Sequence, residues 1–266
     1  MGIGGRKIGF YREFLKALAI IEKDARIYYL KPPSIFFGLM LPLLLYFAFS
    51  VGRPCVTEAY RLTGVVAMAL FFGSSTIEAV VLPLERKSGT FDRLIAAPIS
   101  LHVLVFAKMI SGTLLGLLSA FILTAILVFF GPLWRWPGLI PSGISIDPLL
   151  FIITLILSAM NASSLGMLVS AQAEDVADAM MPMNFIRFAM IFFSGTFITL
   201  EETFAFMPSL EPIAHIFPLT YSVDALRQTT YGPIRPHMIF MDYIVLLTSM
   251  IIFLLFTIRS IESTLR

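Results

Sequence analysis

The sequence predicts an all-α integral membrane protein with six transmembrane helices, an N-terminal amphipathic interfacial helix, and short external re-entrant helices before the last span. Of its 266 residues, 58% are apolar and only 14% are charged, whereas soluble domains carry about 25% charged residues. The mean hydropathy is +0.89. Six stretches have the roughly 20 mostly apolar residues that a helix needs to cross a bilayer. They are residues 32–52, 62–84, 109–134, 148–173, 179–200 and 236–258.

The first 31 residues differ from the spans, because their apolar residues recur at helical spacing among charged ones. This pattern predicts an amphipathic helix on the cytoplasmic membrane surface. A helix packed on a soluble partner is the alternative. With residues 32–266 as the membrane bundle, the chain 1–266 is predicted to form one membrane domain. The apolar stripe of the first segment consists of Tyr11, Phe14, Leu15, Leu18, Ile21, Ala25 and Tyr28.

Residues 201–235, between the fifth and sixth predicted spans, are mixed in character. Their apolar pieces are interrupted by Pro208, Pro212 and Pro218, and each piece is too short to cross a bilayer. Irregular backbone at membrane depth is tolerated only where protein or a water-filled cavity covers it. The segment is therefore predicted to form short re-entrant or interfacial helices that pack against the bundle.

The distribution of basic residues predicts that both termini are cytoplasmic. Lysine and arginine are concentrated in the N-terminal segment and in the loop after the second span, and the C-terminal tail adds two more arginines. Cytoplasmic loops of membrane proteins carry this excess. The loop after the fourth span carries Glu174, Asp175 and Asp178 instead, but acidic residues contribute little to the rule.

No catalytic, cofactor or metal site is expected in this chain. A net charge of +2 gives no case for nucleic acid binding, and the single cysteine, Cys55, excludes an internal disulfide. A phosphate-binding loop needs Gly-x-x-x-x-Gly-Lys-Ser/Thr, and no lysine follows the two glycine pairs that have this spacing. The three histidines are scattered along the chain and form no metal-ligand cluster. We therefore expect no enzymatic activity from this chain alone.

The most informative segment is LPLERKSGTFDRLIAAPISLHVLVFAKMISG, residues 82–112, which is rich in charge and lies between two spans. Ser88, Gly89 and Thr90 can turn the chain, and Thr90 is predicted to cap a short helix. Pro98 is predicted to end that helix, because the residue before a proline is disfavoured in the helical conformation.

The short helix is predicted to be amphipathic. Phe91, Leu94 and Ile95 share one face, and Asp92 and Arg93 lie off it. An amphipathic helix at the end of two spans is suited to docking in a groove of a partner protein. A plain connecting loop is the alternative.

Within this segment, ERKSGTFDRLIAAPIS resembles the signature of permease subunits of ABC exporters of the type-2 export class. In that family the pattern runs from Glu-Arg/Lys through Gly-Thr to an apolar helix ending in Pro-Ile/Leu-Ser, and a lysine opens the next span. The matching residues are Glu85, Arg86, Gly89, Thr90, Leu94, Pro98, Ser100 and Lys108.

A second pattern of the same family resembles FFSGTFITLEE and IFPLTYSVDALRQ. It consists of a Ser-Gly turn, an external segment, and Pro-Leu-Thr-Tyr with a downstream Asp and Arg. Phe217 departs from the polar residue often found before that proline, while the SGTF turn resembles the drug-exporter branch. The matching residues are Ser194, Gly195, Pro218, Leu219, Tyr221, Asp224 and Arg227.

The resemblance implies the transmembrane subunit of an ATP-driven exporter in the plasma membrane, with drugs or lipids favoured as substrates. It implies a second permease subunit, expected to be the same chain, and separate cytoplasmic ATPase subunits that bind ATP and Mg²⁺. A self-powered secondary transporter or channel is the alternative, and an intramembrane enzyme is a weaker one. The coupling helix that receives the ATPase stroke would include Glu85, Arg86, Gly89, Thr90, Asp92, Arg93, Leu94 and Pro98.

Several charged residues fall inside or beside the predicted spans, where charges are costly and often functional, and three of them are singled out. Glu78 is expected to contact substrate, to stabilise the bundle, or to extend to the interface. Lys108 is expected to extend to the interface from the start of the third span. Arg187 is expected near the cytoplasmic end of the fifth span, paired with one of the acidic residues of the loop 174–178.

Two further patterns predict packing contacts. Asp224 and Arg227 are three residues apart on a predicted helix, which predicts a structural ion pair between them. Gly112, Gly116 and Ala120 form a stripe of small residues on the third span, which permits close helix packing. This contact is expected either within the subunit or between two subunits.

Overall fold

A computed structural model describes residues 3–29, 32–50, 58–130, 147–196, 200, 204–205, 208 and 211–265, with side chains at 13–28, 38–48, 60–127 and, within those ranges, from 147 onward. Every regular element in these ranges is helical. A π-helical turn, Ala25–Tyr29, directly follows the first helix. The helices are α1 (Ile3–Asp24), α2 (Pro32–Ser50), α3 (Glu58–Lys87), α4 (Thr90–Ala96), α5 (Leu101–Phe130), α6 (Pro148–Gln172), α7 (Val176–Phe193), α8 (Glu211–Ala214), α9 (Pro218–Thr230) and α10 (Pro236–Thr264).

Within the described ranges, five helices are long and apolar enough to cross a membrane, namely α3, α5, α6, α7 and α10. They confirm the second to sixth predicted spans as apolar helices of spanning length. Helix α2 occupies the first predicted span, but the apolar part described there, Gly38–Ala48, is shorter. Its crossing of the membrane therefore stays a prediction. Cys55 lies outside the described residues.

Helix α3 is the centre of the bundle and packs against α2, α5, α6, α7 and α9. Every residue from 63 to 75 is buried, as expected for a helix that is apolar on all sides and surrounded by other helices. In contrast, α10 is exposed along most of its length. Its contacts with α6 include the side chain of Asn161, which donates to the Leu246 carbonyl at 3.0 Å and to Ser249 Oγ at 2.6 Å.

Glycines allow α5 to lie directly against α3. A Cβ atom at Gly116 would come within 1.9 Å of Ser74 Oγ, and one at Gly112 within 2.4 Å of Glu78 Cγ. The stripe of Gly112, Gly116 and Ala120 therefore serves packing within the subunit, which was one of its two expected roles.

The boundaries of α3, α5, α7 and α10 differ from those of the predicted spans, and the largest differences are in α5 and α7. Helix α5 begins at Leu101 rather than at residue 109, because the apolar run continues on the N-terminal side of Lys108. Helix α7 begins at Val176, where the Asp175 side chain accepts hydrogen bonds from the backbone N–H groups of Ala177 and Asp178. It ends at Phe193, seven residues before the predicted end.

The described part of the segment 201–235 contains two short helices, α8 and α9. Ten of the thirteen residues of α9 are buried, and α9 packs against α3, α6 and α10. The prediction of short helices packed against the bundle is confirmed for these residues. Whether they are re-entrant, and on which side of the membrane they lie, stays a prediction.

Replacing Gly116 with alanine tests the close approach of α3 and α5. We expect G116A to destabilise the folded protein by about 1–3 kcal/mol, because the added methyl group overpacks the interface. Adding Ser74→Ala removes the nearest atom and should recover part of the loss. Thermal unfolding in detergent measures both effects. The control is Gly232→Ala, where the nearest atoms would lie at an ordinary 3.4 Å. An equal loss in G232A would contradict the packing argument.

Candidate functional site

Four charged side chains form a buried cluster at the end of the bundle where α3 ends, α4 follows and α5 begins, called here the α4 end. The Lys108 ammonium lies 3.1 Å from Asp24 Oδ2 and 2.8 Å from Glu85 Oε1. Lys23 contacts the same two carboxylates, at 2.8 Å from Asp24 and 2.5 Å from Glu85. The side chains of Asp24, Glu85 and Lys108 are 0% exposed, and that of Lys23 is 29% exposed. The cluster thus joins α1, α3 and α5.

The cluster corrects the prediction that Lys108 extends to the interface. Lys108 lies seven residues inside α5, about 10 Å from its start, and it remains buried because two carboxylates neutralise it. Two positive and two negative charges sum to zero, which is the condition under which buried charges are tolerated. Asp24 and Lys23 were not among the predicted site residues. The charge of Asp24 beside the apolar Ile20 and Ile21 was the available signal.

Helix α1 uses a different face for this contact than the predicted apolar stripe. Ile20 and Asp24 are buried against the bundle, whereas Phe14, Leu15 and Leu18 of the stripe are each about half exposed. An exposed apolar stripe beside a buried polar contact fits a helix that lies at a membrane surface. The Lys16 ammonium also donates to the Pro98 carbonyl, which ties α1 to the segment after α4.

Arg86, the neighbour of Glu85, binds the end of α6. Its guanidinium donates to the Ala173 carbonyl at 2.6 Å and to the Ala171 carbonyl at 3.2 Å. A cation at a helix C-terminus satisfies carbonyl groups that have no partner within the helix and interacts favourably with the helix dipole. The same guanidinium lies 5.4 Å from the ring centre of Phe91 in α4. Two consecutive residues, Glu85 and Arg86, therefore fix the end of α3 to α1, α5 and α6.

The turn between α3 and α4 depends on Gly89, whose φ of +66° is in the left-handed region that glycine adopts without strain. The prediction that Thr90 caps α4 is wrong, since Gly89 is the N-cap and Thr90 is the first helical residue. The Thr90 hydroxyl instead donates back to the Glu85 carbonyl at 3.3 Å. The helix ends at Ala96, and Ala97 is extended, which confirms the predicted effect of Pro98.

Helix α4 is amphipathic as predicted, but its apolar face is already occupied. Phe91 is buried against α3 and α6, and Leu94 and Ile95 pack against α1 and α5. Asp92 and Arg93 are exposed. The surface that α4 offers to another protein is therefore mainly polar, and the helix does not present its apolar face for insertion into a partner's groove.

The second sequence pattern forms a separate cluster, about 37 Å away at the other end of α3, between residues 60 and 85. Arg227 of α9 donates to the Gly195 carbonyl at 2.6 Å and to the Thr196 carbonyl at 3.4 Å. Its guanidinium also stacks on the Tyr60 ring at 3.5 Å, and Tyr60 donates to Gly195 as well. Burial lowers the pKa of Arg227. The Ser-Gly turn after α7 is thus held by α3 and α9.

The predicted ion pair of Asp224 with Arg227 is wrong, because each side chain has another partner. Asp224 accepts a hydrogen bond from Gln228 at 2.8 Å, one helical turn further along. Gln228 also donates to Asp242 of α10 at 3.2 Å. Arg227 points towards the turn after α7, as described above. The three-residue spacing allowed the pair, but the carbonyls at the end of another helix accept the hydrogen bonds of Arg227 instead.

Arg187 also departs from its predicted partners. It lies eleven residues into α7, about 16 Å from its start, and is only 2% exposed. Its guanidinium donates to Ser75 at 3.1 Å and to Asn184 at 3.1 Å, and it lies 5.3 Å from the Phe72 ring centre. The predicted pairing with the acidic loop 174–178 is therefore replaced by a polar contact with α3.

Glu78 lies inside the bundle, with 0% of its surface exposed. Gly112 of α5 and Gly166 of α6 make room for it, since a Cβ atom at either glycine would come within 3 Å of its side chain. The expectation that Glu78 extends to the interface is wrong. Its position among α3, α5 and α6 fits a role in the bundle, and a contact with substrate stays a prediction.

Together these contacts join the helices of the bundle to one another. No group of three or more potential metal ligands occurs among the residues that the structure describes. The charged and polar side chains at both ends of α3 join helices to each other. Helix α4 and the residues just before it thus have contacts with α1, α3, α5 and α6.

Comparison with known families gives one match. The model of the family described as ABC-2 type transporter matches residues 18–231, which is about four fifths of the chain and includes both clusters. A search of curated proteins finds no match.

Replacing Lys108 with methionine tests the buried cluster. We expect K108M to destabilise the protein by about 3–5 kcal/mol, because an uncompensated carboxylate is left buried. The double variant K108M/Asp24→Asn removes one charge of each sign and should be more stable than K108M alone. Thermal unfolding measures the difference, with the exposed Lys87→Met as control. A double variant less stable than K108M would contradict the argument from charge balance.

The pH dependence of unfolding tests Lys23. Burial acts to lower the pKa of Lys23, but the hydrogen bonds and charges of Asp24 and Glu85 outweigh burial, so the pKa is raised. A raised pKa stabilises the fold fully below the unfolded-state value for lysine, about 10.4, and this contribution is lost as pH rises through the folded-state value. We therefore expect the alkaline loss of thermal stability to be smaller in Lys23→Met. An identical alkaline profile for both proteins would rule this contribution out.

Proposed function

The chain belongs to the ABC-2 type transporter family and is the transmembrane component of an ABC transporter, and we propose that it serves an ATP-driven exporter. In this proposal the chain forms part of the substrate pathway, a second copy of the chain forms the other part, and separate ATPase subunits bind ATP and Mg²⁺ at the cytoplasmic face. The chain itself hydrolyses nothing. It resides in the plasma membrane with both termini in the cytoplasm.

The observation that carries the proposal is the way α4 is mounted. A segment that transmits force must be firmly attached to the bundle, and α4 is attached along its apolar face and at the residues before its first turn. Phe91 is packed against α3 and α6, and Arg86 binds the last carbonyls of α6. Glu85, immediately before the turn, contacts Lys108 and Lys23. A load on α4 thus reaches four helices without a flexible linker.

The exposed side of α4 provides the surface for an ATPase. Asp92 and Arg93 lie outward, and charged groups at a contact surface favour orientation and specificity. Helix α1 lies beside α4 through Leu94 and Ile95, which pack near Ile20. We propose that the ATPase contacts both helices, so that its closure on ATP moves α1 and α4 together.

The proposed cycle is the one that the family resemblance implies, and these attachments support it. Closure of two ATPase subunits on ATP pushes both copies of α4, and the charge cluster transfers the motion to α5 through Lys108. Helices α3 and α5 are in close contact through Gly112 and Gly116, so they move as one body. The pathway then opens between the two copies of the chain, and hydrolysis followed by ATPase opening resets it. Hydrophobic drugs or lipids are the proposed substrates.

Charge reversal on α4 tests the proposal. The intact chain is purified with the ATPase encoded nearest to its gene and compared with Asp92→Arg/Arg93→Asp. We expect the variant to bind the ATPase about tenfold more weakly, which corresponds to about 1.4 kcal/mol, and to lose the ATP turnover that substrate stimulates. ATP turnover is assayed in lipid, and affinity is measured by titration.

A matched control is available at the end of α10. Arg259 and Glu262 are both exposed and lie three residues apart, so Arg259→Glu/Glu262→Arg reverses the same charges elsewhere. This control should change the affinity by less than about twofold, since the exposed charges of α10 lie outside the proposed contact. If the intact chain purifies alone and moves a solute down an ion gradient without ATP, the exporter proposal is wrong and a secondary transporter takes its place.

A further inference from the structure

A deep apolar groove lies between α1, α5 and α10. Its volume is about 640 Å³, within the range of roughly 300–1,000 Å³ that is typical of sites for small ligands. The groove borders the packing around α4, since Ala17 and Ile21 of its lining belong to the same cluster as Leu94 and Ile95. Its walls include Ala17 and Leu18 of α1, Phe106 and Ile110 of α5, and Leu254 and Ile258 of α10.

The groove extends from the first turn of α5 into the apolar part of that helix. His102 and Ile110 both line it, and eight helical residues span about 12 Å. The polar side chains of its lining, Glu13 and His102, belong to α1 and to the first turn of α5. A ligand in this groove would therefore meet polar groups at one end and hydrocarbon along the rest of its length.

Water is a poor occupant of such a groove. A buried water needs two to four polar partners, and most of the lining offers none. An empty groove would deprive its apolar walls of dispersion contacts. An apolar chain satisfies both conditions.

The membrane itself reaches the groove. Helices α5 and α10, which form two of its walls, are both of spanning length and composition. Phe106 of the groove is 47% exposed, and exposed apolar side chains continue from it along α5 and α10, including Leu114, Ile251 and Leu255. The exposed stripe of α1 forms the third wall. The groove is thus continuous with the surface that faces lipid.

We propose that this groove binds one acyl chain of a phospholipid from the leaflet on the α4 side, as a resident lipid that fills the space between α1 and the spans. The headgroup lies beside Glu13 and His102. The lipid supports the position of α1, since the charge cluster holds only the C-terminal end of that helix. This inference does not depend on the ATPase or on the direction of transport.

The first experiment counts lipids that remain bound after purification in detergent. Native mass spectrometry of the intact protein should show one phospholipid per subunit. Ala17→Phe fills the groove and should lower the retained lipid at least fivefold. Ala19→Phe is the matched control, because Ala19 is exposed on the same helix and does not line the groove. We expect A19F to retain as much lipid as the unmodified chain.

A second measurement avoids dependence on the folding of A17F. Trp134 and Trp136 are replaced by phenylalanine, and a single tryptophan is introduced as Phe106→Trp or Phe121→Trp. Phe121 lies further along α5 and is 73% exposed outside the groove. Delipidated protein is then titrated with phosphatidylcholine that carries a brominated acyl chain. Fluorescence at F106W should be quenched to saturation near one lipid per subunit, and at F121W only with excess lipid.

Either of two results overturns the proposal. Equal titration curves for F106W and F121W would show that only exchanging boundary lipid contacts the groove. Equal retained lipid in A17F and A19F would assign the groove to another occupant. If A17F then also converts dimers to monomers, that occupant is a second copy of the chain, and if the oligomeric state is unchanged, a partner protein takes that place.

Discussion

The full burial of Lys108 depends on Asp24 and Glu85, whose carboxylates, from two other helices, contact its ammonium. This requirement determines the arrangement of the α4 end of the bundle. It fixes the depth of α5, the rotation of α1, and the position at which α3 ends. Lys23 supplies the second positive charge, so the cluster is neutral. The Lys23 side chain is the partly exposed member of the cluster. The turn at Gly89 and the short helix α4 directly follow the end of α3 that this cluster holds in place.

A second constraint is the narrow space between α3, α5 and α6. Glycines at 112, 116 and 166 bring the backbones together around the Glu78 side chain, and serine hydroxyls fill the remaining volume. At the far end of α3, Arg227 donates hydrogen bonds to the carbonyls of the turn after α7 and stacks on the Tyr60 ring. The two sequence patterns that carry the family resemblance therefore occupy opposite ends of one central helix. Their separation by a rigid, buried helix explains how both can belong to one mechanism without touching.

The sequence predicted most of the helices because long apolar runs leave few alternatives in a bilayer. It also predicted the amphipathic character of α1 and α4 and the stop at Pro98. The predictions were wrong where a polar side chain had more than one possible partner. Lys108 was assigned to the interface, yet its partners come from positions 24 and 85, and spacing along one helix cannot reveal such contacts. The same reason accounts for Arg187, which binds α3 rather than the nearby acidic loop, and for Arg227, which prefers carbonyls to Asp224.

The charge cluster also has a consequence for biogenesis. Asp24 and Glu85 are synthesised before Lys108. Their carboxylates therefore lack one of their partners until α5 has been synthesised. Burying Lys108 alone in the hydrocarbon would be costly, and the N-terminal part of α5 can settle to its final depth only when α1 has docked. The order of synthesis and the balance of charge together link the final position of α5 to the docking of α1. A chain with a defective first helix would leave Lys108 without Asp24, one of its two carboxylate partners.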